Sequence, residues 1–240
     1  MVRSALSASA VILFTIGAAH AGVRVIHASP NTPAVDVYVN EAPDGSPAIG
    51  GLGFTQATGY VGLASGLYDF RVTPANSNTV ALSATGVPLD GNVNYSVAAI
   101  GFATSLSPLL LVDNNVAPAA GNARVRFVHA APDVPQVDIA LNLSGTAGSV
   151  LFNDVNFGTA ASEGYIEVPA GSYGLGVFLG STLALPVNVT LAAGEAYSVF
   201  AMGSLATNDV QAVVFADPVP APGGAVALAL AGLLSARRRR

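Results

Sequence analysis

The chain repeats itself once, and this repeat constrains its fold more than any other feature. The stretch VRVIHASPNTPAVDVYVN at 23–40 returns as VRFVHAAPDVPQVDIALN at 125–142. A repeat of about 100 residues is far longer than a solenoid period, so each copy is predicted to have its own core. The matched positions, at a constant offset of 102 residues, are His27 and His129, Pro30 and Pro132, Pro33 and Pro135, Asp36 and Asp138, and Asn40 and Asn142.

Short segments with β-strand character follow one another in both copies. Segments such as AVDVYV, LYDFRVTP and VNYSVAAIGF are rich in Val, Tyr, Phe and Thr, and turn-forming residues separate them. About seven such segments in each copy predict two tandem immunoglobulin-like antiparallel β-sandwich domains. We place the first domain at 22–115 and the second at 122–217, with a turn-rich linker between them. Each domain is expected to fold on its own.

The composition argues against several classes of function. The chain is 52% hydrophobic and 10% charged, which supplies packed cores and argues against global disorder. Between residues 22 and 217, four arginines stand against all 14 acidic residues, for a formal net charge of −10. Nucleic-acid binding is therefore not expected, because phosphates require basic patches. The lack of cysteine excludes disulfides, a thiolate nucleophile and cysteine-bound metals.

The N-terminus has the three parts of a secretory signal peptide. Arg3 precedes an uncharged apolar run over 5–19, and Ala19-His20-Ala21 provides the small residues of a cleavage site. We place the cut between Ala21 and Gly22, so that residues 1–21 are removed. The alternative is a retained membrane anchor, although the run is shorter than the ~20 apolar residues of a typical span.

The C-terminus combines a proline-rich spacer, an apolar run and a basic end. Prolines in 218–222 cannot continue a strand. The uncharged stretch 223–236 then predicts a short transmembrane helix whose terminal arginines stay in the cytoplasm. At ~1.5 Å per residue this helix reaches about 21 Å, less than a ~30 Å hydrocarbon core. So short a span suits a temporary stop in the inner membrane.

This tail resembles the PEP-CTERM sorting signal of exported bacterial proteins. The acidic residue of the Pro-Glu-Pro core is missing, so the tail looks like a variant form. The resemblance implies that an exosortase-type membrane protease removes the helix, and that the protein goes to the cell surface or to an exopolysaccharide matrix. The residues that carry the resemblance are Val219, Pro220, Pro222, Gly223, Arg237, Arg238, Arg239 and Arg240.

The body of the chain resembles a HASP-motif family of domains of unknown function in exported bacterial proteins. His-Ala-Ser-Pro at 27–30 opens the first copy, and Gly-x-Tyr and Tyr-Ser-Val matches extend the resemblance over both copies, 22–217. The family implies tandem β-sandwich domains on secreted or surface proteins. It implies no established activity.

The repeated stretch contains residue types that serine catalysis uses. His27, Ser29 and Asp36 could supply a base, a nucleophile and an orienting acid. The second copy, however, has Ala131 where the serine should be. The alternation of side chains along the strands also places the histidine and the aspartate on opposite faces. These observations argue against a catalytic site.

We predict instead that the motif is a folding device, present once in each domain. Each proline fixes φ and removes a backbone donor, which ends strand pairing. The histidine can bond backbone groups that the turn leaves unpaired, and the aspartate can bond nearby amides. A metal or ligand site is the first alternative, and catalysis the second. No catalytic, cofactor-binding or metal-ligating residue is assigned.

Two other groups of polar residues have competing interpretations. The alternating oxygen ligands of Asp-Gly-Asn-Val-Asn at 90–94 are typical of a calcium loop, but the second copy lacks them, and a hairpin turn is favoured. Four matched tyrosines form either a glycan-stacking platform or, as we favour, packing positions with hydrated hydroxyls. They are Tyr60, Tyr68, Tyr165 and Tyr173.

The sequence therefore predicts an exported, non-enzymatic component of the cell surface or extracellular matrix. Its precursor is expected to contact the inner membrane transiently and then the processing protease. Exopolysaccharide or surface proteins are its expected partners, and no cofactor is expected. The alternative is an extracellular glycan- or protein-binding module of the adhesion type, which a polar pocket or tyrosines clustered with Asp and Asn would favour.

Overall fold

The computed structural model describes residues 20–219 apart from 114–115 and 163. All regular structure within these residues is β-strand, so the all-β prediction is confirmed. None of them lies in a helix long and apolar enough to cross a membrane. The predicted signal peptide up to residue 19, and the predicted apolar helix and arginine cluster at 223–240, lie outside the described residues.

The first copy, 20–113, contains eight strands. They are β1 (His20–His27), β2 (Val35–Val39), β3 (Ile49–Leu52), β4 (Val61–Ala64), β5 (Gly66–Pro74), β6 (Leu82–Leu89), β7 (Asn94–Ile100) and β8 (Ser107–Asp113).

The second copy, described over 122–217 apart from residue 163, contains nine strands there. They are β9 (Asn122–His129), β10 (Val137–Leu143), β11 (Thr146–Val155), β12 (Thr159–Ala160), β13 (Ile166–Pro169), β14 (Gly171–Leu179), β15 (Thr182–Leu191), β16 (Ala196–Met202) and β17 (Gln211–Asp217).

Each copy has an inner sheet, which faces the other copy, and an outer sheet. The inner sheets have the strand orders β4-β1-β7-β8 and β12-β9-β16-β17, with β13 also paired to β9. The outer sheets have the orders β3-β2-β5-β6 and β11-β10-β14-β15. The two copies therefore share one topology, as the duplicated sequence requires.

The inner sheets are not purely antiparallel, and in this respect the prediction is wrong. Strand β1 runs parallel to β7, with Val25 opposite Val97, and β9 runs parallel to β16, with Phe127 opposite Val199. Between the two partners the chain crosses to the outer sheet and returns, which gives the long connection that a parallel pair needs. The prediction described each sandwich as antiparallel and so missed this pairing.

The two sheets of each copy enclose a separate hydrophobic core. In the first copy, Val23 and Val25 of the inner sheet pack with Val37, Phe70 and other residues of the outer sheet. The equivalent core of the second copy includes Val125, Phe127, Phe152 and Val177. The alternating valines of β1 and β2 point into this core, as their spacing predicts.

A third hydrophobic core lies between the copies. Ile26 and Ala98 of the first inner sheet meet Val128 and Phe200 of the second, and all four are fully buried. The central strands of both inner sheets are therefore buried on both faces, which explains their nearly continuous apolar runs. The predicted boundaries at 22–115 and 122–217 stay a prediction, but this shared core makes the two copies one packed unit.

One connection differs from the sequence prediction. The loop after Leu89 joins β6 of the outer sheet to β7 of the inner sheet, so the predicted hairpin turn at 90–94 is a crossover between sheets.

The predicted cleavage site lies at the start of β1, where His20 and Ala21 pair with Ala64 and Leu63 of β4. Cleavage after Ala21 would remove these two residues from β1.

Candidate functional site

The first repeated histidine is held inside the turn that ends β1. The Nε2 atom of His27 lies 3.0 Å from the Pro33 carbonyl oxygen, and its Nδ1 accepts from the Ser29 amide at 3.3 Å. An amide nitrogen can only donate, so Nδ1 is unprotonated and Nε2 carries the hydrogen. The Phe54 ring and the imidazole pack in a T-shaped arrangement with a centroid distance of 6.3 Å. His27 is thus a neutral clamp across the turn.

The second histidine repeats this arrangement in detail. His129 Nε2 lies 3.2 Å from the Val134 carbonyl oxygen and 3.1 Å from that of Pro135. Its Nδ1 accepts from the Ala131 amide at 3.3 Å, and the Phe157 ring packs edge-on at 6.2 Å. Burial lowers the pKa of both His129 and His27, and the carbonyl contacts offset only part of this effect. The two imidazoles are therefore neutral in the folded protein.

The aspartates of the motif also bond to the backbone. Asp36 accepts from the amide of Gly51 at 2.7 Å and from that of Asn76 at 3.0 Å. Asp138 accepts from the amide of Asp154 at 2.8 Å. Asp36 therefore ties β3 and the loop after β5 to β2. Asp138 ties β11 to β10 in the equivalent place.

The structure does not bring the serine, histidine and aspartate together as a catalytic triad. The Ser29 hydroxyl bonds the Thr32 hydroxyl at 2.6 Å and is fully buried. His27 and Asp36 bond the separate backbone groups described above, so no base contacts the hydroxyl. The prolines at 30 and 33 frame the turn that the histidine closes.

Two of the four tyrosines have structural hydroxyl contacts at the edges of the sandwiches. The Tyr68 hydroxyl donates to the Ala64 carbonyl at 2.9 Å, and that of Tyr173 donates to the Pro169 carbonyl at 2.6 Å. Each bond closes the short turn before β5 or β14. These contacts fit the packing interpretation better than a row of rings open to a glycan.

A buried ring of six side chains joins the two copies, and the sequence interpretation assigned none of these residues a role. We call it the Arg–Ser–Asp ring. Its members are Arg24, Ser96, Asp113, Arg126, Ser198 and Asp217.

The first half of the ring runs from the first copy into the second. Arg24 Nε donates to Ser96 Oγ at 2.7 Å, and Ser96 Oγ donates to Asp113 Oδ2 at 2.7 Å. Asp113 Oδ1 then pairs with Nη2 of Arg126 across the interface. The Tyr60 hydroxyl also donates to Asp113 Oδ2, at 2.7 Å.

The second half returns to the first copy by the same contacts. Arg126 Nε donates to Ser198 Oγ at 2.7 Å, and Ser198 Oγ donates to Asp217 Oδ2 at 2.6 Å. Asp217 Oδ1 pairs with Nη2 of Arg24, which closes the ring. The Tyr165 hydroxyl donates to Asp217 Oδ2 at 2.6 Å. The ring therefore has an internal pseudo-twofold symmetry.

Backbone and aromatic contacts complete the environment of the arginines. Arg24 Nη1 donates to the Ala216 carbonyl at 3.0 Å, and Arg126 Nη1 donates to the Val112 carbonyl at 2.9 Å. The Arg126 guanidinium carbon lies 4.7 Å from the centre of the Tyr165 ring, a favourable cation–π distance. Burial raises the pKa of Tyr165, so its hydroxyl stays protonated as a donor.

The ring is a neutral set of two cations and two anions inside the protein. No member is more than 3% exposed. Charges this deeply buried are tolerated only when each is paired and hydrogen-bonded, and here the contacts meet that condition. The ring has a structural role, because every polar contact described for its members is made with another ring member, a tyrosine hydroxyl or a backbone carbonyl.

A signal for the ring was present in the sequence. Arg24 and Arg126 are 102 residues apart, as are Ser96 and Ser198, so the repeat already matched them. The body contains few arginines, and two of them interrupt apolar strands at equivalent positions. The pairing itself was not visible, because Arg24 and Asp217 are separated by 193 residues.

A polar groove is present in the second copy beside β11 and β12. It has a volume of about 370 Å³. Val155 and Leu52 occupy equivalent positions, opposite Val137 and Val35. The first copy therefore has glycines where the second has Asn153, Asp154 and Asn156. The groove is lined by Asn153, Asp154, Val155, Asn156, Thr159, Ala160 and Ser162.

No group of three or more histidine or acidic side chains within the described residues is placed to hold a metal ion. Asn94, from the stretch at 90–94 for which a calcium loop was the alternative to a turn, accepts from the Gly22 amide at 3.1 Å. The Asp90 amide donates to the Tyr95 hydroxyl at 3.1 Å. These two hydrogen bonds hold the crossover loop in place between the two sheets.

Comparisons with known proteins give a family and distant similarities to solved structures. A family model described as a domain of unknown function, DUF4397, matches residues 21–140 and 141–233. No curated protein matches the chain.

Among solved structures, the Bacillus anthracis TIE protein is 11% identical, with a TM-score of 0.23, over 78% of this chain and 34% of that one. This chain thus spans about a third of the length of the TIE protein chain. A streptococcal virulence factor described by its alpha-glucan binding is 11% identical, with a TM-score of 0.25, over 75% of this chain and 91% of that one.

Proposed function

Since this chain belongs to the DUF4397 family of domains of unknown function, we propose that it is an exported, non-enzymatic component of the cell surface or extracellular matrix. In this role the two copies act as one stiff body. The observation that carries the proposal is the Arg–Ser–Asp ring with its apolar surroundings, which locks the copies face to face. The repeated polar residues are engaged in internal bonds, which supports a structural rather than a catalytic role.

Export and sorting are proposed from the two ends of the chain. The apolar N-terminal run with its small-residue cleavage site supports secretion. The C-terminal spacer, apolar run and arginine cluster support a transient stop in the inner membrane, followed by removal of the tail by an exosortase-type protease. Each arginine costs roughly 2.5–3.5 kcal/mol at mid-membrane, so the cluster resists translocation.

Mass spectrometry of the surface-exposed protein tests this proposal at both ends. We expect a mature form that begins at Gly22 and ends within 219–223. Replacing Arg237 to Arg240 by alanine should cause accumulation of unprocessed or mislocalised chains, whereas replacement by lysine, which keeps the charge, should preserve the orientation in the membrane. A surface form that still ends at Arg240 would show a permanent anchor and contradict the sorting proposal.

A binding module for extracellular glycans is the second candidate, and the polar groove of the second copy favours it. Amide and carboxylate groups such as Asn153, Asp154 and Asn156 can exchange hydrogen bonds with sugar hydroxyls. The net negative charge of the body favours a neutral glycan over an anionic one. The residues that line the groove all belong to the second copy, so this binding would be a property of the second copy.

Calorimetric titration of the protein with soluble exopolysaccharide tests the second candidate. The double variant Asn153→Gly and Asn156→Gly makes the groove resemble the first copy, and we expect it to raise Kd about tenfold or more. Ser172→Ala removes an exposed hydroxyl outside the groove and serves as the control. Equal affinities for the wild type and the double variant would exclude the groove as the binding site.

A further inference from the structure

The faces that the copies turn toward each other are alike in charge. The arginines at 24 and 126 are equivalent, and so are the aspartates at 113 and 217. Each arginine pairs with the aspartate of the other copy. Any two copies, whether like or unlike, could therefore close the same ring, as in an isologous interface. The charges alone cannot select one pairing over another.

The same faces are unlike in volume. The strand registers place Ala98 opposite Ile26 and Phe200 opposite Val128, so Ala98 and Phe200 occupy equivalent positions. Leu111 lies opposite Ser96 as Phe215 lies opposite Ser198. At these two positions the second copy supplies the larger side chain, whereas at the position of Ile26 and Val128 the first copy supplies it. The Ala98 and Phe200 pair has by far the largest difference in volume.

Interior packing penalises both like pairings. Two second copies would bring a second Phe200 and Phe215 into space that now holds one of each, and overpacking is destabilising. Two first copies would leave that space partly empty, and a cavity is also destabilising. Only the pairing of a first copy with a second copy fills the shared core without overpacking and without a cavity.

We propose that the two inner faces form a recognition pair that holds the copies together without the linker and selects the unlike copy. The ring fixes the relative orientation of the faces, and the core volumes fix the choice of partner. This inference does not depend on the proposed cellular role, because it concerns only the affinity of the two copies for each other.

The test uses the full body of the chain with a protease site placed in the linker at 116–121, cut after folding. We expect the cut protein to remain one particle at micromolar concentration by size-exclusion chromatography and light scattering. Phe200→Ala in the cut protein should weaken the association by roughly a hundredfold or more. Leu67→Ala, which truncates an exposed apolar side chain outside the interface, is the control and should change nothing.

Selectivity is measured with two cut samples whose second copies carry different tags. After exchange in mild denaturant and return to buffer, capture of one tag should bring down the first copy but not the other tag. Recovery of both tags in one particle at comparable yield would overturn the proposed selectivity. Separation of the two halves of the cut wild-type protein would overturn the whole proposal. This outcome is measured on the wild-type protein, so it does not depend on whether any variant folds.

Discussion

The Arg126→Ala variant is expected to lose roughly 3–5 kcal/mol of its free energy of unfolding, the typical cost of removing one partner from a buried ion pair. Without Arg126, the buried Asp113 carboxylate has no cation, and Ser198 loses its donor. Arg24→Ala should cost a similar amount, because the pseudo-twofold places it in the same environment. Chemical denaturation followed by circular dichroism measures both losses.

The chain supplies a matched control for this result. Arg71 pairs with Asp69 at 3.2 Å at the surface, where side chains are about a third exposed. Exposed pairs contribute roughly 0–1 kcal/mol, so Arg71→Ala should have little effect. The double variant Asp113→Ala and Arg126→Ala should cost less than the sum of the single variants, because the two side chains interact directly. A loss no larger than that of Arg71→Ala would show that the ring does not hold the copies together.

The second large effect is a loss of folding stability at acidic pH. Burial lowers the pKa of His27 and His129 below the ordinary value of 6.5. Between the lowered pKa and 6.5, the unfolded chain therefore binds more protons than the folded chain. Their contribution to stability is therefore complete above about pH 6.5 and is lost as the pH falls through that value toward the folded pKa. Each histidine adds a slope of up to about 1.4 kcal/mol per pH unit.

Replacing His27 or His129 by alanine separates this effect from other acid-sensitive groups. At pH 7.5 each variant should lose about 1–3 kcal/mol, because turn carbonyls and an amide lose a buried partner. Each should also reduce the slope of stability against pH just below pH 6.5, because one of the two buried histidines no longer titrates. Tyr68→Phe removes one exposed bond to a carbonyl and should leave the slope unchanged. Lost binding with unchanged stability would instead assign the histidines to a ligand site.

The predictions from sequence succeeded where the cause is local. The duplicated stretch indicated tandem copies of an uncharacterised domain, which the family match in two segments confirms. Alternating apolar residues and turn formers predicted an all-β chain, which the structure confirms. The HASP-type resemblance in detail, the signal peptide and the sorting tail stay predictions.

The predictions failed for features that depend on residues far apart along the chain. The parallel partners β1 and β7 are about 70 residues apart along the chain, and nothing in either segment specifies strand direction. The shared core had a local trace in the unbroken apolar run Val97-Ala-Ala-Ile100, since a strand with one solvated face would alternate. The sequence interpretation treated that run as an ordinary strand. The Arg–Ser–Asp ring depends on partners from both copies and could be found only once the fold was known.

The closed ring also sets an order of events for a chain that emerges N-terminus first. Arg24 appears with the first strand of the fold, whereas its partner Asp217 is the last residue of the last strand, 193 positions later. Arg24 therefore lacks its ion-pair partner until the whole second copy has been made. The interface can close only after the last strand is present, and a chain that is truncated before Asp217 cannot complete the ring.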